Sequence, residues 1–568
     1  MINKDILKQL NQLSIPPETG TANYEQWIQQ QNFFQFLLNT QTDEIPLYVS
    51  HNHTYIYSLF LPASVLKGDY VNDLLEWDAG PDSSWGYGYS FGKGGKPKRI
   101  HIFEPFDSAG SSLLKGATPI TFLRSFEGGK GYRSYVEINQ FLTHLHGLHK
   151  DEAVNSFCRL DEEGNIEQTL KIHHTKESIL VTLKSDIIDF HQFLTKTVLL
   201  RLFDRMVCRD WKRFAGWGNP NTSINRDTKN EIFWRAGIQS EISGSLFASY
   251  VRGFQIIRNR HPRRELIAQL EGKHLKPKKY EKFIAWDWKN KRISEVSCDP
   301  KKLGNYFVKS DKPFETSPVF FKPDVLLKYK ADPDKYTISE RKITCRGTWG
   351  LETYDINEKG QVHTYLVYLG RLPHSEQLYW KSFNERPKCG ISKRALKTDF
   401  KGEWDLSYDP LLSLKKSLQK MQKDKTDLWG CNDEDLYRRL NYPVTDAEKE
   451  WTDEIHTLDK LVVEGFSYPY LKNLATSLGC FNEKLGSIRM LESIFGKKSI
   501  SKEEIKGITD PLIEIRNLRT KFAGHRSGKD TAKIKDDIVK EYGDLKAHFR
   551  SLLQRTDQAI QTLLTIQV

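Results

Sequence analysis

Two textures divide this chain, and one layer of structure cannot hold both. From about Ile45, apolar residues come in short runs cut by Gly, Asp and Asn: Leu47-Tyr-Val, Thr54–Phe60, Arg99–Phe103 and Thr169–His173. Runs of that length and spacing read as strands. From Thr445 onward, apolar residues recur at helical spacing instead, the mark of helices packed on one another. The chain therefore reads as α+β, a β-rich and mixed N-terminal region followed by an all-α C-terminal bundle. Its 568 residues exceed what one core holds, and roughly two to four domains are expected.

Residues 1–207 read as a β-rich domain with flanking helices. Residues 1–40 carry apolar positions at helical intervals, Glu163-Gly164-Asn165 reads as a hairpin turn, and Ile187–Val207 as one helix. Residues 208–405 read as a mixed α+β basic domain, with strands expected at Tyr336–Cys345 and Gln361–Leu369. Residues 406–443 read as a helical connector around Leu411–Lys425, ending near Asn441-Tyr-Pro443. Residues 444–568 form the expected bundle. Thr445 reads as the N-cap of its first helix, with Glu448 closing a capping box. Further helices are expected at 468–478, 483–495, 502–506, 510–522 and 531–565. The last would align Ile534, Ile538, Tyr542, Leu545, Phe549 and Leu552 on one face.

The formal net charge of +12 favours an anionic partner such as nucleic acid. The excess is uneven, +11 over residues 1–443 against +1 over 444–568, which places the grip on a long polyanion in the N-terminal part. The richest basic segments hold Arg258, Arg260, Arg263 and Arg264, then Lys276, Lys278 and Lys279, with Trp286 and Trp288 close behind. Clustered cations beside aromatic rings can hold phosphates and stack bases. Trp85–Arg99 repeats that texture. Seven scattered cysteines without a CxxC pair indicate neither a disulfide framework nor a zinc knuckle. His51 and His53, the group His144, His146 and His149, and the pair His173 and His174 invite a metal reading. His144 and His146 would share a strand face, but no carboxylate or cysteine cluster completes a ligand set. No metal and no cofactor is assigned. The sequence shows neither an apolar leader core nor a run of the ~20 apolar residues a bilayer needs, so a cytoplasmic protein with no membrane partner is expected.

The sharpest chemical lead is Arg516-Asn517-Leu-Arg519-Thr-Lys-Phe-Ala-Gly524-His525. Asp510-Pro511 reads as the start of a helix. Arg516 and Arg519 then share a face, and Gly524 suits the helix end just before His525. An imidazole moves a proton near neutral pH, and a guanidinium holds the charge that grows on a phosphate. Together they suffice to cut RNA without a metal.

These residues resemble the signature of the HEPN superfamily, small helical bundles that are often RNA-cleaving effectors of bacterial anti-phage and abortive-infection systems. The signature is an arginine, usually a polar residue such as Asn after it, then four to six residues and a histidine. Arg519 stands five intervening residues from His525, with Thr520 in the polar place. Arg516-Asn517 has the dipeptide, with eight residues intervening. The resemblance implies Arg519 or Arg516 as the charge stabiliser, His525 as the proton-transfer group and Asn517 as an orienter. It further implies attack by a ribose 2′-OH, a homodimer or larger homo-oligomer, and an N-terminal region sensing a phage-derived or nucleic-acid trigger. Two other readings stand beside it. One is a non-catalytic nucleic-acid- or protein-binding protein that dimerises through its bundle. The other is a Mg²⁺-dependent nuclease of PD-ExK type, in which Asp324 after Pro323, with Glu340 and Lys342 on one strand face, would hold the metal and a water.

Overall fold

The structure, a computed structural model, describes Ile6, Lys8 and Asn39 and then residues 42–566. Excepted are 81–84, 92–93, 95–96, 108–109, 125–133, 211–222, 241–245, 272–276, 340, 404–407, 426, 499 and 523–527. The helix expected over residues 1–40 thus lies almost wholly outside the described residues. The chain divides into two compact units, one of residues 1–161 and 166–277, the other of residues 162–165 and 278–568.

The first unit is built on an antiparallel sheet whose middle is the long strand Thr197–Asp210. On one side it pairs with Leu246–Ile257, followed outward by Ile232–Ser240 and Ser223–Asp227. On the other it pairs with Thr54–Pro62, followed by Glu44–His51, Ile179–Lys184, Ile166–His174, Ser156–Leu160 and His149–Asp151. The single helix expected over Ile187–Val207 is instead a helix, Ser185–Thr195, and then this strand. Lys196, at φ 57°, turns the chain between them. Val198 through Phe203 are all buried, because the strand is covered on both faces. A run buried on both faces has no period of two and reads like a buried helix. The boundary expected at 207/208 falls inside this strand. The Glu163–Asn165 turn does link two paired strands, with Gly164 at φ 75°.

The second unit begins with a six-stranded sheet that includes Lys282–Asp287, Pro318–Phe321 and Val362–Tyr365, and a three-stranded one. The expected strand Tyr336–Cys345 is two strands, Tyr336–Ile338 and Ile343–Cys345, paired across a turn. The expected strand Gln361–Leu369 gives way after Tyr365 to the helix Leu366–Arg371.

Among the described residues, seven helices of ten residues or more follow: α1 Pro410–Asp424, α2 Glu448–Leu458, α3 Tyr468–Ser477, α4 Ser487–Lys497, α5 Lys502–Phe522, α6 Gly528–Tyr542 and α7 Leu545–Thr565. Leu414, Leu418 and Met421 of α1 join Leu552, Leu553 and Ile560 of α7 in one buried core. The presumed connector is therefore part of the bundle. The acid that closes the start of α2 is Glu450, which accepts from the backbone N–H groups of Val444 and Thr445 and from Thr445 Oγ1. Glu448 reaches Lys535 instead.

The two helices expected either side of Pro511 are one, because α5 runs unbroken through the proline. A proline inside a helix costs about 3 kcal/mol. The buried stripe Ile505, Ile508, Leu512, Ile515 and Leu518 offsets that cost, and Pro511 is buried with it. Conversely, the long helix expected over 531–565 is two, broken at Gly543 (φ 89°). Asp544 then caps α7, accepting from Ala547 N.

Leu552 has no exposed surface. We expect Leu552→Ala to lower unfolding free energy by about 2–5 kcal/mol, and Val539→Ala, on exposed surface, to stay within about 0.5 kcal/mol. Urea unfolding followed by helical circular dichroism measures both.

Candidate active site

The end of α2 shapes the site. Residues Asp459–Val463 continue α2 as a π turn, a local widening that often sits at functional positions. The turn places Asp459 inside the bundle with no exposed surface. Two arginines of α5 meet it. Arg516 Nη1 lies 3.1 Å from Asp459 Oδ2 and 3.6 Å from Glu464 Oε1. Arg519 Nε lies 3.7 Å from Asp459 Oδ2, and its Nη2 3.5 Å from Glu464 Oε1. The helix thus does bring Arg516 and Arg519 onto one face. Their side chains remain 40% and 38% exposed, so each guanidinium is held on its inner side and open on its outer side.

Burial pushes the Asp459 carboxyl above the ordinary aspartate range, against the downward pull of Arg516 and Arg519. Its Oδ1 is buried with no hydrogen-bond partner among the described residues. One turn earlier on α2, His456 Nε2 is likewise buried and unpartnered, and the charge of His456 bears on Asp459. Sequence reasoning missed Asp459, Glu464 and His456. A signal for Asp459 was present, since it sits between Leu458 and the apolar run Leu461-Val-Val463, at a helical position next to that buried face. Asn517 is exposed beside the pair, and Thr520 Oγ1 donates to the Arg516 carbonyl at 2.8 Å. His525 lies outside the described residues.

The rest of α5 is pinned by a second polar group. His548 Nδ1 accepts from Trp451 Nε1 at 3.3 Å, which leaves Nε2 to donate to Glu514 Oε1 at 3.0 Å. Arg555 adds two hydrogen bonds to the same carboxylate. Burial pushes Glu514 up, but His548 and Arg555 outweigh it and hold the carboxyl at about 2.

The basic segments are partly committed. Arg258 forks onto Glu231, and Arg260 onto the buried Asp189. Lys278 donates to the carbonyls of Gly370 and Arg371. Arg263, Arg264 and Lys279 are exposed, while Lys276 lies outside the described residues. Trp288 stacks on Tyr306 at 5.6 Å.

The expected PD-ExK geometry is not what forms. Lys342 sits in the turn before Ile343–Cys345, not on a strand face, and pairs with Glu352 at 2.9 Å. Asp324 lies in the short helical turn Pro323–Leu326, and Glu340 is outside the described residues. His144 and His146 do not share a strand either. His144 belongs to the helix Gln140–Leu145, and His146 Nε2 lies 3.1 Å from His191 Nδ1. Among the described residues no group of three or more His, Cys, Asp or Glu side chains is placed to hold a metal. No described helix is long and apolar enough to cross a membrane.

Comparison with protein-family models, with curated proteins and with solved structures found no match to this chain.

Two outcomes are expected. Asp459→Asn takes the buried charge away from both arginines and leaves them only Glu464, so it should lower unfolding free energy by about 1–3 kcal/mol. Glu514 stabilises the folded state above its unfolded pKa, so that contribution should fall away as pH drops from about 4.5 toward about 2. A pH series of thermal midpoints for Glu514→Gln should show a flatter acid limb than the wild type.

Proposed function

We propose that the bundle is a metal-independent endoribonuclease of HEPN type, controlled by the N-terminal unit as sensor. The observation that carries this reading is the pair Arg516 and Arg519, one turn apart, held from within by buried Asp459 and open to solvent on the other side. Guanidiniums fixed in advance lose little orientational freedom when a phosphate arrives, which is how preorganised charge stabilises a transition state. An incoming phosphodiester would displace the half-exposed Glu464 and keep Asp459 as anchor. Arg519 would hold the charge growing on the phosphate, with Arg516 and Asn517 orienting it. His525, a few residues past the end of α5, would take the ribose 2′-OH proton or give one to the leaving oxygen. The +1 net charge of residues 444–568 is too small to collect RNA on its own. Capture would then rest on the basic N-terminal part or on a second copy of the chain. Action on RNA inside the cell would place the protein in the cytoplasm.

One observation favours the non-catalytic reading instead. Both arginines already reach two carboxylates, as they would in a brace that only ties α5 to α2. Cleavage assays separate the two. With RNA in EDTA, alone and with phage nucleic acid added, we expect the wild type to cut. Arg519→Ala and His525→Ala should each lower the rate by about 10²–10⁴-fold. Cleavage that both substitutions leave intact would remove the site, and cleavage that requires Mg²⁺ would remove the mechanism.

A further inference from the structure

Within the second unit, a cavity of about 710 Å³ opens between the strands around residues 338–356 and the first turns of α1 and α7. That volume lies in the range of small-ligand sites, roughly 300–1,000 Å³. Much of the wall is apolar, from Leu326, Ile338, Leu411, Val444 and the ring of Tyr442.

The charges on the wall differ in how far they are answered. Asp355 is clamped by both nitrogens of an Arg394 fork and by Ser392 Oγ. Lys330 faces Glu450 and Glu454, at 2.6 and 2.8 Å. The two remaining acids are engaged at helix starts. Asp409 Oδ1 accepts from Leu412 N and from the Tyr442 hydroxyl, and Asp544 Oδ1 accepts from Ala547 N. Two cations, Lys415 and Arg550, have no ion pair among the described residues, and a third, Lys546, holds one at 3.7 Å. Lys415 Nζ gives a hydrogen bond to the Leu440 carbonyl, and burial lowers its ammonium to about 8 against the opposing pull of Glu454 and Asp409. Arg550 lies over the Tyr442 ring at 5.5 Å and has no ion pair among the described residues. Lys546, one turn before it on α7, has Asp446 no nearer than 3.7 Å.

We propose that this cavity binds a nucleoside phosphate, its phosphate on Lys415, Lys546 and Arg550 and its base against the apolar wall. A phosphate answers the three cations at once, and Arg550 can fork onto two of its oxygens. An apolar, flat body uses the wall that inorganic phosphate would leave wet. This site stands apart from Arg516 and Arg519 and does not rest on the nuclease reading.

Isothermal titration of the full chain with AMP, GMP, CMP and UMP, and with adenosine and inorganic phosphate, tests it. At least one nucleotide should bind one site per chain, with adenosine and phosphate each weaker by at least about tenfold. Arg550→Ala and Lys415→Met should each weaken that binding by about tenfold or more. Leu412→Trp, which fills the cavity from a different position on α1, should abolish it while circular dichroism shows an intact fold. Arg489→Ala, on an exposed ion pair elsewhere, should change nothing. No binding of any of the nucleotides at about 1 mM overturns the proposal. So does binding that survives all three cavity variants, or binding that is lost on Arg519→Ala in their place.

Discussion

A carboxylate with no exposed surface needs cations close by, and Asp459 draws both of its own from a single helix. That constraint organises the candidate site. The π turn after α2 brings the acid inward, and α5 must present Arg516 and Arg519 on the same face to meet it. The position of α5 is then fixed from the other direction by Glu514, which takes hydrogen bonds from His548 and Arg555 of α7. Between these two polar fastenings lies the apolar stripe from Ile505 to Leu518. A helix held in this way can carry a proline in its middle and still deliver its last turn in a defined place.

The legible parts of this fold are those where period alone decides. The strands at Leu47–Val49 and Thr54–Phe60, the helix at 468–478 and the switch to an all-helical C-terminus all follow from spacing, and all are present. Where burial on every side erased the period, the reading failed. The central strand Thr197–Asp210 is buried on both faces from Val198 through Phe203, Arg201 included, and nothing in its pattern separates it from a buried helix. Local punctuation also misled. Pro511 signals a helix start in isolation, but a buried stripe continuing on both sides of it overrode that preference. Gly543 broke an otherwise continuous stripe because it adopts a left-handed backbone that no pattern of apolar residues reports.

The site divides along the same line. Arg516 and Arg519 were readable as a shared face because both lie on one helix. Their anchor was not, since Asp459 is more than fifty residues away and no periodicity links the two. The same holds for the cavity. Lys415, Lys546 and Arg550 come from opposite ends of the bundle's sequence and meet on one cavity wall, where the acids beside them are engaged in capping. Both features gather cations in a bundle whose own net charge is only +1.

If the arginine pair on Asp459 stabilises a phosphate during attack by the neighbouring 2′-OH, the break must leave a cyclic phosphate. The chemistry of the cut ends tests this most directly. RNA cleaved by the full chain in EDTA should carry 2′,3′-cyclic phosphates on one side of the break and 5′-hydroxyls on the other, as read by end-specific labelling and mass spectrometry. Ends bearing 3′-hydroxyls and 5′-phosphates, formed only when Mg²⁺ is supplied, would rule out a metal-independent attack by the 2′-OH.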